Sequence, residues 1–309
     1  MIELIDTTSS KIAAEFIRSR TRSGSPAMGM VMTLIIVTPD EDAVEAMKAA
    51  QRASREHPSR VLAVILGDAR GTPQVNAQVG SGDGWGGETA LIRLKGEVVK
   101  HAESVVLPLL LPDSPVAIWW PTAPPADPAT DPLGALAKRR ITDSAGVTRG
   151  KSTAMLAQCR VYAPGNTDLS WTRLTPWRAL LAAALDQHPL KVIGASVSAE
   201  RISPSADLLV AWLTDRLKVE VSRHTSEGPG ITEVTMDTKQ GPITISRADG
   251  RLATFTSPDR PDRPVALKRR EVPALLAEEL RRLDEDNIYA YTAKRLVALH
   301  DKPLAKGLS

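Results

Sequence analysis

The segment 145–152, which reads AGVTRGKS, is the part of the sequence whose residue types most suggest chemistry. It resembles a phosphate-binding loop with alanine in place of the first glycine, and it lies between a predicted strand and a predicted helix, as that motif requires. In such a loop Lys151 contacts nucleotide phosphates and Ser152 holds Mg²⁺. The second carboxylate that normally completes the Mg²⁺ site does not follow the apolar strand predicted over 191–198. Two interpretations stay open: a nucleotide phosphohydrolase, and a basic surface loop in which Ser152 caps a helix.

A second glycine motif has the spacing of a dinucleotide-binding turn, with glycines at Gly82, Gly84 and Gly87. That motif has meaning only where a helix follows it. The residues after it, 88–95, alternate between apolar and polar as a strand does. The pattern therefore predicts a hairpin loop.

The five histidines are far apart in the sequence, and no two have the spacing of metal ligands. Three of them, His57, His188 and His300, lie at predicted helix ends, where a protonated imidazole stabilises the helix dipole. Helix capping is therefore a better interpretation of these three than metal ligation or catalysis. The single cysteine, Cys159, excludes an intrachain disulfide and a multi-cysteine metal site, and its predicted helix face indicates a buried thiol. No nucleophile stands beside a base, so the sequence predicts neither an enzyme nor a cofactor. The histidines are His57, His101, His188, His224 and His300.

The elements that must position these residues form two groups. The first begins with an apolar strand, a helix opened by acids, and a second apolar strand, which together predict a βαβ unit with parallel pairing. An antiparallel pair, an apolar helix and two further strands follow, so this half is predicted to form one mixed sheet. The predicted elements are a helix over 10–22, a strand over 30–37, a helix over 40–57, strands over 60–66, 74–79, 89–95, 116–120 and 139–143, and helices over 98–111 and 151–161.

The second group starts after a polar segment, 163–168, that has the composition of a domain boundary. Short alternating runs separated by turn residues predict a mostly antiparallel sheet with helices. The fold class is therefore α/β, with two α/β domains over 1–165 and 166–309. The predicted helices cover 176–187, 206–217, 272–284 and 287–300, and the predicted strands cover 191–198, 219–225, 231–237, 242–246 and 252–256.

Composition excludes several classes of protein. The chain has 309 residues, of which 42% are hydrophobic and 24% charged, a balance typical of globular proteins. The net charge is only +3, and the densest basic cluster, 268–270, has three residues, which disfavours nucleic-acid binding. The sequence has neither an apolar run long enough for a membrane helix nor an N-terminal signal peptide. We therefore expect a cytoplasmic protein without a membrane partner.

Tryptophan is concentrated in one region. Six of the eleven aromatic residues are Trp, and four of these six fall between Trp119 and Trp177. Trp and Arg dominate the energetics of protein–protein interfaces, so a docking surface is one interpretation and a packed core with internal ion pairs is the other. The residues predicted to bind a partner are Trp119, Trp120, Arg139, Arg140, Asp143, Trp171, Trp177 and Arg178.

Around these residues the sequence resembles the glucose-6-phosphate dehydrogenase assembly protein (OpcA) family, in particular its actinobacterial members. The resemblance extends over essentially the whole chain. It is carried by long strings at 111–121 (LPDSPVAIWWP), 131–144 (DPLGALAKRRITDS) and 168–187, and by shorter ones at 56–60 and 286–291.

The resemblance implies a non-catalytic partner that binds glucose-6-phosphate dehydrogenase, promotes its active oligomer and activates it allosterically in the NADPH-producing pentose phosphate pathway. A cysteine-based switch proposed for photosynthetic members does not carry over, because Cys159 stands alone. Two alternatives remain beside this interpretation: the phosphohydrolase using Lys151 and Ser152, and a sugar-phosphate sensor in which Arg139 and Arg140 hold the phosphate. The sequence leaves the chain's own oligomeric state open.

Overall fold

The computed structural model describes residues 1–23, 29–81, 87–187, 189–258 and 260–302. In this part of the chain the fold is α/β, with two mixed sheets and helices packed on them, as the sequence predicted. The chain divides into two compact units, which we call unit 1 and unit 2. Unit 1 contains Met1–Val147, Gly165–Leu169 and Glu271–Glu285, and unit 2 contains Thr148–Pro164, Ser170–Arg270 and residues 286–302.

The two units interleave along the chain, whereas the predicted division has a single boundary between 165 and 166. The polar segment that suggested the boundary ends in a short strand, Asn166–Asp168, which pairs with Arg139–Thr142 and extends the sheet of unit 1. The helix Val272–Arg281 also belongs to unit 1, where it packs against the helix Ala43–Ala53.

Unit 1 is built on an eight-stranded sheet in the order β1-β4-β5-β3-β2-β6-β7-β8, counted over the described residues. From β5 to β8 in this order each strand is parallel to the next, whereas the β1–β4 and β4–β5 pairs are antiparallel. The pairing confirms the predicted βαβ unit and the predicted antiparallel pair. The strands are β1 (Ile2–Leu4), β2 (Met32–Val37), β3 (Ser59–Leu66), β4 (Gln74–Ser81), β5 (Glu88–Lys95), β6 (Val116–Trp120), β7 (Arg139–Thr142) and β8 (Asn166–Asp168).

Helices cover both faces of this sheet, which explains why β2 is buried at all six positions. One face packs against α2 and α8, and the other packs against α1 and α3. The helices of the chain are α1 (Ser9–Ser23), α2 (Ala43–Ala53), α3 (Ala102–Val106), α4 (Lys151–Arg160), α5 (Leu169–Thr172), α6 (Thr175–Gln187), α7 (Pro204–Leu217), α8 (Val272–Arg281) and α9 (Asn287–His300).

The described residues of unit 2 form a six-stranded sheet in the order β10-β9-β11-β12-β13-β14. Only β9 and β10 are parallel among its described pairs, so the sheet is mostly antiparallel, as predicted. One face packs against α4, α6, α7 and α9, and the other carries Ser and Thr side chains. The strands are β9 (Val192–Ala199), β10 (Val221–Thr225), β11 (Ile231–Thr238), β12 (Ile243–Ser246), β13 (Leu252–Ser257) and β14 (Arg260–Ala266).

Two helix predictions are wrong in extent. The predicted helix over 98–111 is a 3₁₀ helix (Gly96–His101), the short α3, and a second 3₁₀ turn (Leu107–Leu109). Pro108 has no N–H to donate and restricts the residue before it, so an α-helix does not continue through this point. The predicted helix over 40–57 is likewise a 3₁₀ turn, Asp40–Asp42, followed by α2.

Candidate functional site

A crevice opens in unit 1 at the carboxyl ends of β2, β6 and β7. These three strands are adjacent and parallel, so the loops that follow them meet at one edge of the sheet. From β2 the chain passes through α2 to β3 on one side, whereas β6 lies on the other side of β2. The crevice therefore lies where the strand order reverses, the place at which open α/β sheets bind their ligands.

The crevice has a volume of about 510 Å³. Its floor is apolar, and its rim carries charged side chains of α2 and of the turn before it. The lining residues are Asp42, Glu45, Ala46, Lys48, Ala49, Gln51, Arg52, Trp119, Pro121, Thr122, Asp143, Gly146, Val272 and Pro273.

Hydrogen bonds and close approaches fix the loops around the crevice. The Thr122 hydroxyl donates to Asp42 Oδ2 at 2.7 Å and so joins the loop after β6 to the turn before α2. The loops after β6 and β7 also touch, because a Cβ on Gly146 would lie only 2.2 Å from the carbonyl oxygen of Pro121. A residue without a side chain is therefore required at Gly146.

Asp143 forms part of the wall and is buried, with 3% of its surface exposed. Its Oδ1 accepts a hydrogen bond from the backbone N–H of Ala145 at 3.1 Å. Behind it, the fully buried Asp168 accepts hydrogen bonds from the Thr142 hydroxyl and the Ser144 hydroxyl, each at 2.7 Å. These bonds hold the end of β7 in one conformation.

Two of the predicted partner-binding tryptophans lie in opposite layers of unit 1. Trp119 faces α2 and α8 and lines the crevice, and Trp120 faces α1 and α3, as side-chain alternation in a strand requires. Each is 2% exposed. The indole N–H of Trp119 has no hydrogen-bond acceptor among the described residues.

The other two tryptophans are buried in unit 2. Trp171 donates its indole N–H to Asp286 Oδ2 at 2.8 Å, and the Arg178 guanidinium stacks over its ring at 3.7 Å from the centroid. Trp177 carries Arg247 over its ring at 5.0 Å. Burial, and secondarily the nearby Arg269 charge, lowers the pKa of Arg247 to about 10. The stacking on Trp171 explains why a cation, Arg178, lies in the first turn of α6, where its charge opposes the helix dipole.

Arg139 and Arg140 make internal bonds in unit 1. The buried Arg139 donates from Nε to Glu279 Oε2 at 3.2 Å and from Nη1 to the Asp284 carbonyl at 3.1 Å. Arg140 donates from Nε to Asn166 Oδ1 at 2.6 Å and from Nη1 to the Ala137 carbonyl. Both lie on or beside the amino end of β7, away from the crevice. This geometry favours the internal network over a phosphate grip.

The packing thus brings only Trp119 and Asp143 of the eight predicted residues to the crevice. A direct contact of the eight with a partner stays a prediction. Sequence analysis did not single out Asp42, Glu45 or Thr122. Asp42 and Glu45 follow β2 and Thr122 follows β6, and the sequence did not show that these two strands are neighbours.

A second cavity, of about 580 Å³, lies in unit 2. Ser152, at the start of α4, does not cap that helix as one interpretation predicted; its hydroxyl donates to Asp207 Oδ2 at 2.6 Å. Burial raises the pKa of Asp207, against the lowering effects of Ser152 and Arg223. Leu156, Val210, Leu296 and Leu299 give this cavity its apolar wall.

The described residues contain no cluster of three or more His, Cys, Asp or Glu side chains able to hold a metal ion. Cys159 is buried beside Met155, as its helix face predicted. Residues 82–86 of the glycine motif, and His188, lie outside the described residues. Within those residues, no helix is long and apolar enough to cross a bilayer.

Comparison with known proteins gives the family. Residues 50–160 match the model described as the N-terminal domain of a glucose-6-phosphate dehydrogenase subunit, and residues 164–293 match the model described as its C-terminal domain. A search of curated proteins finds no match. A solved structure described as an oxidoreductase from Sinorhizobium meliloti aligns over 88% of this chain and 90% of its own, with 10% identity and a TM-score of 0.42, a likeness too weak to indicate an activity. The two domain matches together cover most of the sequence, and the chain belongs to the OpcA family of glucose-6-phosphate dehydrogenase assembly proteins.

Proposed function

We propose that this chain is a non-catalytic, cytoplasmic partner that binds glucose-6-phosphate dehydrogenase, promotes its active oligomer and raises its apparent affinity for glucose 6-phosphate. The observation that carries the proposal is that both parts of the chain match domains described as parts of a dehydrogenase subunit. The concentration of the sequence resemblance in 111–121, 131–144 and 168–187 supports it.

Activation requires that this chain bind the competent state of the dehydrogenase more tightly than its other states. A tenfold gain in apparent substrate affinity needs about 1.4 kcal/mol of coupling free energy, which is modest for an interface of ordinary size. Linkage also demands the reverse effect, so glucose 6-phosphate should tighten the complex by the same factor.

The test is the kinetics of the dehydrogenase from the same organism against glucose 6-phosphate, with and without this chain, while light scattering gives the mass of the mixture. We expect a lower KM or a higher kcat together with a heavier species. Normal kinetics and no complex, with both proteins folded, would refute the proposal. A lowered KM without tighter binding at saturating substrate would refute the linkage.

A second candidate function, nucleotide binding in unit 2, is favoured by one observation. The phosphate-loop pattern lacked a second carboxylate in sequence, and Asp207 lies beside Ser152, from whose hydroxyl it accepts a hydrogen bond at 2.6 Å. A bound Mg²⁺ would be held by these two side chains. We expect saturable binding of Mg·ATP that Lys151→Ala abolishes, whereas Lys218→Ala, an exposed lysine of the same unit, leaves it intact. Absence of saturable binding to the wild-type chain eliminates this candidate.

A further inference from the structure

We propose that the crevice of unit 1 is the docking site for the dehydrogenase, and that it receives a basic side chain carried on an apolar segment of that enzyme. The inference rests on the proposed function and names the surface through which it acts. The chemistry of the crevice, its position in the sheet and the exposure of its rim support it.

The position of the crevice is that of a nucleotide site, yet its chemistry disfavours a phosphate. Nucleotide-binding sheets place glycines and a bare helix N-terminus after the first strand, where backbone N–H groups meet the phosphates. Here the turn after β2 is Asp40-Glu41-Asp42, so three carboxylates stand at the amino end of α2, of which Asp40 pairs with Arg93 at 2.9 Å. A phosphate would meet like charges there.

The crevice lining has a negative excess because it contains three acids, Asp42, Glu45 and Asp143, and two bases, Lys48 and Arg52. Lys48 Nζ lies 2.7 Å from Glu45, and Arg52 Nη2 lies 3.0 Å from Glu271, a carboxylate that does not itself line the crevice. Asp42, by contrast, accepts only the neutral Thr122 hydroxyl and has no ion pair within the described ranges. The charge that this surface complements is therefore positive.

The rim is too open for a small ligand. The Glu45 side chain is 79% exposed and that of Arg52 is 59% exposed, whereas a small-molecule site encloses most of its ligand. Next to Glu45 on α2, Val44 is an exposed apolar residue at 58%. Ala46, Ala49 and Pro273 line the floor of the crevice and are also apolar. An open groove with an apolar floor and an acidic rim fits an apolar protein segment that bears Arg or Lys.

The experiment compares two double variants that remove the same number of negative charges. Asp42→Asn with Glu45→Gln removes two negative charges from the rim, and the Asn side chain can still accept the Thr122 hydrogen bond. Asp68→Asn with Glu97→Gln neutralises two exposed carboxylates of unit 1 outside the crevice, which pair with Arg70 and Lys100. The Kd for the dehydrogenase is measured for each variant at several salt concentrations, with circular dichroism as the check on folding.

We expect the rim variant to bind at least tenfold more weakly and with a shallower salt dependence, and the control to bind like wild type. Equal weakening in both variants would show an effect of net charge and would overturn the proposal that the crevice is the docking site. Unchanged binding of the rim variant would also overturn it. If the wild-type chain does not bind the dehydrogenase at all, the proposed function itself falls. If the wild-type chain and the rim variant activate the enzyme equally, the proposed function stands and the crevice is not the docking site.

Discussion

The buried ion pair between Arg139 and Glu279 gives the sharpest test of whether the arginines of β7 are structural. Their side chains are 4% and 7% exposed, and Arg139 also bonds the Asp284 carbonyl. Glu279→Gln leaves a buried guanidinium without its counter-ion, and removing one partner of a buried pair costs about 3–5 kcal/mol. Replacing both residues by Met removes both charges, and such exchanges are often neutral or stabilising.

The assay is differential scanning calorimetry of the two single variants, Arg139→Met and Glu279→Gln, and of the double Met variant. For a unit of this size we expect each single variant to lower Tm by roughly 6–20 °C, and the double variant to recover most of that loss. Dehydrogenase binding, measured well below the lowest Tm, should stay unchanged. Native stability of the single variants together with lost binding would refute the reasoning and return Arg139 to a partner or phosphate site.

Three further predictions concern other parts of the molecule. Burial raises the pKa of Asp207 above its ordinary 3.8, so the folded chain binds this proton more tightly than the unfolded chain does. Between pH 3.8 and the raised value, stability therefore falls as pH rises, and Asp207→Asn should remove that slope from urea unfolding curves; an unchanged slope would contradict it. Gly146→Ala places a Cβ 2.2 Å from a backbone oxygen and should cost about 1–3 kcal/mol in urea unfolding; an unchanged free energy of unfolding would show that the loops move apart freely. Trp120→Ala should cost about 3–5 kcal/mol as a core truncation, and Arg178→Ala about 0.5–2 kcal/mol through the lost ring contact; native stability with weakened dehydrogenase binding would instead support the docking role.

Much of the fold was predictable because its signals are local. The apolar runs of β2 and β3 around an amphipathic α2 specify parallel pairing, and β6 follows from the same pattern. β14 was missed because its sequence, RPDRPVA, has two prolines and charged residues, which an edge strand accepts since it pairs on one side only. The short β8 was missed because three residues carry too little periodicity to show a strand.

The site was less predictable because it depends on pairings between distant segments. The sequence singled out tryptophans by type, but burial is decided by packing, and the layers on both faces of the sheet enclose Trp119 and Trp120. The crevice needed the strand order, which places β6 beside β2 and so brings Thr122 to Asp42 across 80 positions. The Ser152–Asp207 pair spans 55 positions and has no sequence signal.

The interleaved course of the chain has a consequence for how the protein is made. Unit 1 lacks β8 until residue 168 has been synthesised, and it lacks α8 until residue 281. Until then the face of α2 that receives Leu275, Leu276 and Leu280 stays uncovered on the ribosome. A nascent chain stopped at 165 therefore carries an exposed apolar face, the kind of surface that chaperones bind and that aggregates when left bare. Helix α8 belongs to unit 1 but follows most of unit 2 in the chain, so unit 1 cannot be completed before residue 281 has been made.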